Sequence, residues 1–198
     1  LRDRFNEMIE RETEFAKAGQ KAFIKAKMNS LCDAKIIASL YEASAAGVQI
    51  DLVVRGICCL KTGIPGVSEN IHVRSIVGDF LEHSRIFYFH NNGHEEVYMG
   101  SADWMPRNLD KRVEILFPVE DETLKAEVIH ILTIQLQDTL KAHIMQPDGT
   151  YSKQDLRGKK KLCAQDYFRQ EAMKNASQRK KEQNARRTFE PMTAESEE

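Results

Sequence analysis

Residues 21–54, KAFIKAKMNSLCDAKIIASLYEASAAGVQIDLVV, decide the fold. Lys21–Met28 alternates apolar and polar side chains as a strand does, and Leu31–Ala46 repeats apolar residues at helical spacing until Gly47. Ile50–Val54 is then a short continuous apolar run, which is typical of a strand buried on both faces. The order strand, helix, strand is a βαβ unit, which predicts an α/β fold with parallel pairing at the centre of its sheet.

Further elements are predicted on both sides of this βαβ unit. Residues 3–18 repeat apolar positions at helical spacing up to Gly19, and Ile71–Ile76 alternates as a strand does. After these we expect, in chain order, a hairpin of Arg85–Phe89 and Glu96–Gly100, a strand at Arg112–Phe117, a long helix at Asp121–His143, a turn at Gln146–Gly149, a polar and basic helix at 161–187 and a disordered end at 188–198.

The size and composition of the chain suit one compact domain with a tail. Of its 198 residues, 41% are hydrophobic, which is enough for a real core. No apolar run approaches the roughly 18 residues that a membrane span needs, so we expect a soluble protein without a transmembrane segment. The chain opens at Leu1, without an initiator Met, in a pattern that is already helical. We therefore expect it to be part of a larger protein.

Basic charge is concentrated towards the end of the chain. Residues 150–187 contain 12 Lys and Arg against 4 Asp and Glu, whereas the chain as a whole has a net charge of −1. Such a segment could attract a polyanion through long-range electrostatics. It could equally be a solvated helix that only keeps the protein soluble, and both interpretations stay open at this point.

If this protein binds phosphate, it does so with side chains, because neither GxxxxGK[ST] nor GxGxxG occurs. Arg55 directly follows the apolar run Ile50–Val54, and ligand-binding residues gather at the carboxyl ends of strands in α/β sheets. A buried guanidinium needs an anionic partner, so Arg55 either binds an anion or pairs with Asp51 or Glu69. Arg112, at the start of a predicted strand, is a second candidate.

A histidine and an arginine stand together ahead of the predicted hairpin. His83 is a natural proton donor near neutral pH, and Arg85 follows it by two residues, so a strand would point both side chains to one face. A proton donor beside a fixed cation suits a phosphoryl oxygen, although a histidine at a strand entrance can also be structural. Gly100 and Ser101 could let a ligand approach the backbone, or they could form a tight turn before a helix. No Cys or His spacing typical of a metal site occurs, and we assign no metal ligand.

Two long stretches of the sequence resemble one known family. They are IDLVVRGICCLKTGIPGVSENIHVRSIVGDFLEHSRIFYF (50–89) and VYMGSADWMPRNLDKRVEILFPV (97–119), with IKAKMNSLCDAKIIASLYEASAAGVQ (24–49) upstream and MQPDGTYSK (145–153) downstream. In this order and spacing they resemble the C-terminal catalytic region of the polyphosphate-forming polyphosphate kinases. The resemblance covers roughly residues 1–155, and it is specific because several long motifs occur in order at fitting spacing.

The resemblance implies a domain organisation and a fold. The family ends in two domains related to phospholipase D, and residues 20–145 are similar to the second of them. We therefore expect a phospholipase D-like mixed α/β sheet flanked by helices. Residues 1–19 would form an N-terminal linking helix, and residues 146–198 a basic helical tail with a disordered end.

The resemblance also implies an activity. Members of the family reversibly transfer the terminal phosphoryl group of ATP to a growing polyphosphate chain, through a phosphohistidine on the first C-terminal domain and with Mg²⁺. The motif around that histidine, TGNYHxxTAxxYTD, is absent from this chain, so we expect the chain to be inactive alone. Implied partners are ATP or ADP, inorganic polyphosphate, the remaining domains of the same polypeptide and further copies in a homo-oligomer, but no nucleic acid.

Three residues carry over by motif. Arg55 in VRGICCL and Arg112 in NLDKR look like the arginines that hold the nucleotide phosphates, and His83 in FLEHSR looks like the second essential histidine, a proton donor. Arg85 is a weaker candidate for phosphate binding. One departure concerns Asp79, which stands where the family usually has arginine and puts a phosphate role for that position in doubt.

Two other functions remain compatible with the sequence. A phospholipase D-like phosphodiesterase or nuclease would need the family signatures HxK and GSxN, which survive here only as His83-x-Arg85 and Gly100-Ser101. A non-enzymatic module could bind a polyanion through the basic helix within residues 153–187. The kinase interpretation is preferred, and it implies a cytoplasmic location, with peripheral membrane association as an alternative.

Overall fold

The structure is a computed structural model that describes residues 1–158 and 160–185. It divides into two units, Leu1–Cys163 and Ala164–Glu198. The second unit contains one helix within its described residues, α5 (Ala164–Ala185). The predicted basic helix is thus found from Ala164, while residues 186–187 and the predicted disordered end at 188–198 lie outside the described residues.

The first unit alternates strands and helices. Its elements in chain order are α1 (Arg2–Lys17), β1 (Phe23–Met28), α2 (Ala34–Ala45), β2 (Gln49–Val54), β3 (Ile71–Ile76), β4 (Ile86–Phe89), a 3₁₀ turn (Asn91–Gly93), β5 (Glu96–Gly100), α3 (Pro106–Lys111), β6 (Leu116–Pro118), α4 (Glu122–Leu136), β7 (Ala142–Met145) and β8 (Tyr151–Lys153).

The eight strands among the described residues of this unit form one mixed sheet in the order β6-β5-β4-β1-β2-β3-β7-β8. The central strands β1, β2 and β3 pair in parallel, and every other pairing is antiparallel. The βαβ unit at residues 21–54 is therefore confirmed, and so is the mixed α/β sheet. The predicted hairpin is also present, as β4 and β5 around the 3₁₀ turn.

Helices cover both faces of the sheet. On one face, α1 and α2 pack on apolar residues of β1 and β2, and Phe5 of α1 lies 4.7 Å from the ring of Phe87 and 5.5 Å from that of Trp104. On the other face, Leu132 of α4 packs with Ile86 and other residues of β4 and β5. Burial on two faces explains why the central strands carry so few exposed side chains.

The predicted helix at Asp121–His143 is too long. Helix α4 ends at Leu136, and His143 lies in β7, which pairs with β3. The Asp138 carboxylate accepts hydrogen bonds from the backbone nitrogens of Lys141 (2.7 Å) and Ala142 (3.1 Å), which turns the chain before the new strand begins. The apolar residues after Leu136 therefore form a strand that pairs with β3. Helical spacing in the sequence does not reveal a pairing with a distant strand.

No helix among the described residues is long and apolar enough to cross a membrane.

Candidate functional site

The predicted site residues lie at one edge of the sheet. The parallel strands β1 and β2 end at this edge, and β4, which is antiparallel to β1, begins there. Arg55 directly follows β2, Arg85 directly precedes β4, and His83 lies three residues before the start of β4. Because β5 and β6 continue the antiparallel pattern, β6 also begins at this edge, four residues after Arg112.

Arg55 is held by a neutral side chain. Its Nε donates a hydrogen bond to Asn29 Oδ1 at 3.1 Å, and Asn29 directly follows β1. In the described part of the chain, this is the only hydrogen bond of its guanidinium, and neither Asp51 nor Glu69 pairs with it. The alternative that Arg55 is neutralised by one of those two carboxylates is therefore wrong. The half-buried guanidinium keeps donors for an anion.

Arg85 is committed to a buried carboxylate. Its Nε lies 3.1 Å from Asp103 Oδ1 and its Nη2 lies 3.2 Å from Asp103 Oδ2, while Nη1 donates to the backbone oxygen of His83 at 3.0 Å. Asp103 is buried, with 6% exposure, and its Oδ1 also accepts from the backbone nitrogen of Asn29 at 2.8 Å. Asn29 and Asp103 thus connect Arg55 and Arg85 in one hydrogen-bonded network.

The position of Asp103 is fixed by its neighbour in the sequence. Trp104 is fully buried, and its backbone oxygen accepts hydrogen bonds from the backbone nitrogens of Cys32 and Asp33, each at 2.9 Å. The segment after β5 is therefore tied to the segment after β1. This anchoring places a carboxylate between two strand ends, where it balances the charge of Arg85.

His83 lies in an exposed segment ahead of β4, not in a strand. Its side chain is exposed, and within residues 1–158 and 160–185 its imidazole has no hydrogen-bond partner. The prediction that His83 and Arg85 share one face of a strand is therefore wrong, because β4 begins only at Ile86. The Arg85 side chain instead contacts the backbone oxygen of His83 and the carboxylate of Asp103. An exposed imidazole without a partner does not behave as a packed structural histidine.

Arg112 lies between a helix and a strand. The strand predicted at Arg112–Phe117 begins only at Leu116, and Arg112 is the residue that follows the last turn of α3. Its side chain is exposed. Pro106 at the start of α3 suits a first helical turn, where a backbone N–H is not needed, and it favours this short helix over an early strand.

Glu114 connects Arg112 to the rest of this edge. Its carboxylate accepts hydrogen bonds from the Ser101 hydroxyl and from the Asn108 amide. These two bonds hold the pKa of Glu114 below its usual range, and the positive charges of Arg112 and Arg85 lower it further. A carboxylate that stays charged thus lies within electrostatic reach of both arginines.

The small residues after β5 contact another backbone segment of the protein. A Cβ atom at Gly100 would collide with the backbone oxygen of Ile115, and the Ser101 hydroxyl accepts from the backbone nitrogen of Ile115 at 3.1 Å. The prediction that Gly100 and Ser101 leave room for a ligand is therefore wrong. Glycine is needed at position 100 because the backbone leading into β6 approaches there.

Sequence reasoning missed Lys27, a buried lysine beside this site. Lys27 is 2% exposed, and its Nζ donates to the backbone oxygen of Ser84 at 3.1 Å and lies 3.8 Å from Glu82 Oε2. Burial lowers the pKa of Lys27 to about 8. The alternation in β1 suggested a solvent-facing lysine. The signal that could have found it is the position of β1 in the middle of a sheet covered on both faces.

Comparisons with known proteins agree on one family. The family model described as polyphosphate kinase C-terminal domain 2 matches residues 1–165. The polyphosphate kinase of Lactiplantibacillus plantarum is 52% identical over 172 residues, which are 87% of this chain and 24% of that protein. The polyphosphate kinase of Pseudomonas putida is 61% identical over 145 residues, 73% of this chain and 20% of that protein.

A solved structure gives the same result. The crystal structure of polyphosphate kinase from Porphyromonas gingivalis superposes with a TM-score of 0.84 at 44% sequence identity, covering 89% of this chain and 27% of that one. The chain therefore spans about a fifth to a quarter of the length of these relatives.

Proposed function

The chain belongs to the polyphosphate kinase C-terminal domain 2 family, and we propose that it supplies one part of a polyphosphate kinase active site. The whole enzyme would reversibly transfer the terminal phosphoryl group of ATP to polyphosphate through a phosphohistidine on a preceding domain. In this proposal residues 1–19 link the domains, residues 20–145 form the catalytic domain, and residues 146–198 form a basic tail apart from β8, which belongs to the sheet of the catalytic domain. With ATP as the donor, the activity would be cytoplasmic.

One observation carries this proposal: Arg55 keeps guanidinium donors at a sheet edge that it shares with His83 and Arg112. A guanidinium stays charged and can grip a phosphate with two hydrogen bonds. Arg55 has only a neutral amide on its Nε, and the Arg112 side chain is exposed. An anion with several oxygens would satisfy donors that the described residues leave open.

The proposed chemistry divides the work between the arginines and the histidine. Phosphoryl transfer passes through a loose transition state whose charge is spread over the transferring oxygens. Arg55 and Arg112 would stabilise that charge, because fixed cations act more strongly in a preorganised site than in water. His83 would hold or donate a proton at a leaving oxygen, since histidine is the side chain that most often serves as a general acid or base.

Arg85 would act on phosphate only weakly. Its charge is matched by Asp103, and each of its three guanidinium nitrogens already donates one hydrogen bond. We propose that Arg85 mainly fixes the edge of the sheet on which Arg55 and His83 are presented.

Magnesium is the cofactor that the family implies, but the residues at this edge do not fit a site for it. No group of three or more His, Cys, Asp or Glu among the described residues could hold a metal ion. The nearby buried carboxylate, Asp103, is already engaged by Arg85 and Asn29. In this proposal Mg²⁺ arrives with the nucleotide, and no step of the chemistry assigned to this domain passes through it.

A domain exchange tests the proposal. The chain would replace its counterpart in the Lactiplantibacillus plantarum polyphosphate kinase, which is 52% identical to it. We expect the hybrid enzyme to form polyphosphate from Mg-ATP, and the isolated chain to form none, because it lacks the phospho-accepting motif. A folded hybrid without activity, or an isolated chain with the turnover of an intact kinase, would contradict the proposal. Hydrolysis of a phosphodiester by the isolated chain would instead support the nuclease alternative.

A further inference from the structure

Lys27 lies in the interior of the protein next to the segment that carries His83. It is on the central strand β1, directly opposite Ile86, the first residue of β4. Its side chain is 3% exposed, so the ammonium group cannot reach a substrate. A lysine in this position has given up most of its hydration and must be compensated by polar partners nearby.

The partners of Lys27 lie on both sides of His83. The ammonium group donates to the backbone oxygen of Ser84 at 3.1 Å, and it lies 3.8 Å from Glu82 Oε2. Ser84 follows His83 in the sequence and Glu82 precedes it. The buried Lys27 ammonium therefore contacts the segment at Glu82 and at Ser84. The exposed imidazole of His83 lies between these two contacts in the sequence.

Helix α4 supports the same arrangement from the other direction. Gln135 is 3% exposed, and its Nε2 donates to Glu82 Oε2 at 2.9 Å. The Glu82 carboxylate is thus oriented by an ammonium from the sheet and an amide from the helix. Gln135 Oε1 is buried and has no hydrogen-bond partner among the described residues. An unpaired buried oxygen destabilises the folded protein.

We propose that Lys27 is a positioning residue for His83, which it acts on by fixing the flanking residues Glu82 and Ser84. The inference rests on the proposed function, in which His83 takes part in phosphoryl transfer. A segment without secondary structure gains its order from a few contacts, and a displacement of about 1 Å at a reacting group can cost about 100-fold in rate. The buried lysine supplies such contacts without touching the substrate.

The charges around Lys27 favour this role. Burial lowers its pKa to about 8, the Glu82 carboxylate opposes that effect, Arg55 and Arg85 add to it, and Asp103 opposes it. The ammonium is therefore still charged near neutral pH, and Arg55 and Arg85 lie within electrostatic reach of it. A neutral residue at this position would remove the Lys27 contact of Glu82 and keep only its hydrogen bond from Gln135 of these two.

A double-mutant cycle in the hybrid kinase tests the inference. Lys27→Met removes the ammonium and keeps the length of the side chain, and we expect it to lower kcat roughly 10- to 100-fold. In a His83→Gln background, the same change should cost less than about twofold more, because residues that act through one another are not additive. Lys25→Met is the matched control, since Lys25 lies two residues earlier on β1 and should have little effect in either background. Equal effects of Lys27→Met in both backgrounds would overturn the inference.

A second measurement keeps the test independent of catalysis. In the isolated chain, Lys27→Met should alter the imidazole resonances of His83 and increase backbone motion at residues 82–85, while Lys25→Met should not. Unchanged His83 resonances would overturn the inference even if the hybrid enzyme were inactive. Should Lys27→Met fail to fold, Lys27→Arg retains the charge and a donor but displaces it, and the same cycle and spectra apply. Failure of the proposed function would show differently, as full activity of His83→Gln or no activity of the unmutated hybrid.

Discussion

Asp103 accepts hydrogen bonds from Arg85 with both carboxylate oxygens, Oδ1 at 3.1 Å from Nε and Oδ2 at 3.2 Å from Nη2. The same carboxylate accepts from the backbone of Asn29, whose side chain holds Arg55. One buried acid therefore links three strand ends: β1 through Asn29, β4 through Arg85 and, by way of Asn29, β2 through Arg55. Asp103 therefore orders the candidate phosphate-binding Arg55 indirectly, through Asn29.

Replacing Asp103 by Asn tests this link. The change keeps the side-chain volume but leaves the charge of Arg85 buried without its partner, so we expect the free energy of unfolding to fall by roughly 2–4 kcal/mol. Urea unfolding of the isolated chain measures it. Glu7→Gln is the control, because the Arg4–Glu7 pair is exposed and should contribute less than about 0.5 kcal/mol. Equal losses from the two variants would contradict a buried link.

The next prediction concerns nucleotide affinity. If Arg55 binds the phosphates of ATP, Arg55→Met in the hybrid kinase should raise KM for ATP by about 10- to 100-fold, since hydrogen bonds to charged groups contribute about 1.5–3 kcal/mol each. Arg107→Met removes the same charge from an exposed position of α3 and should leave KM within about twofold. Arg112→Met should behave like Arg55→Met. A KM for ATP that is unchanged in both site variants would remove the arginines from the proposed site.

Lys27 predicts how stability depends on pH. Its pKa is lowered from 10.5 to about 8 in the folded protein, so between these values the unfolded chain binds a proton that the folded protein does not. Stability should therefore rise with pH in this window, by about 3 kcal/mol in total, and the cost of the buried charge should be fully present below pH 8. The difference between the wild type and Lys27→Met isolates this contribution from the other titrating groups.

Unfolding free energies measured from pH 7 to 11 provide the check. Relative to Lys27→Met, the wild type should gain stability as the pH rises. Lys25→Met should follow the wild type, because this variant keeps Lys27 and removes a lysine that is less buried. A constant difference between wild type and Lys27→Met over this range would mean that Lys27 titrates like an exposed lysine.

The sequence predicts the local elements of this protein better than the way distant segments meet. The βαβ unit at residues 21–54 could be recognised because its periodicities are local. The end of α4 could not, because the strand β7 that follows it is placed by pairing with β3, about 70 residues earlier in the chain, and with β8. Long-range pairing of this kind has no signature in a single window of sequence.

The same limit applies to the candidate site. That Arg55 follows a strand could be predicted, because the apolar run before it is unambiguous. That Asn29 and Asp103 would bind it into a network could not, since 74 positions separate those two residues. The prediction of a strand from Arg112 fails for a similar reason, because Ser101 and Asn108 hold Glu114 in an irregular segment ahead of β6.

The last prediction concerns what His83 does in catalysis. His83→Gln keeps a hydrogen-bond donor but removes the titratable proton, so in the hybrid kinase we expect kcat to fall by about 100-fold or more, the usual scale of general acid catalysis. KM for ATP should change much less than in Arg55→Met, because no phosphate contact is lost. The melting temperature should stay the same, since the imidazole is exposed and has no hydrogen-bond partner in the described residues. A folded His83→Gln enzyme with near-normal kcat would exclude His83 as a proton donor, whereas a lower melting temperature would show that the imidazole stabilises the fold.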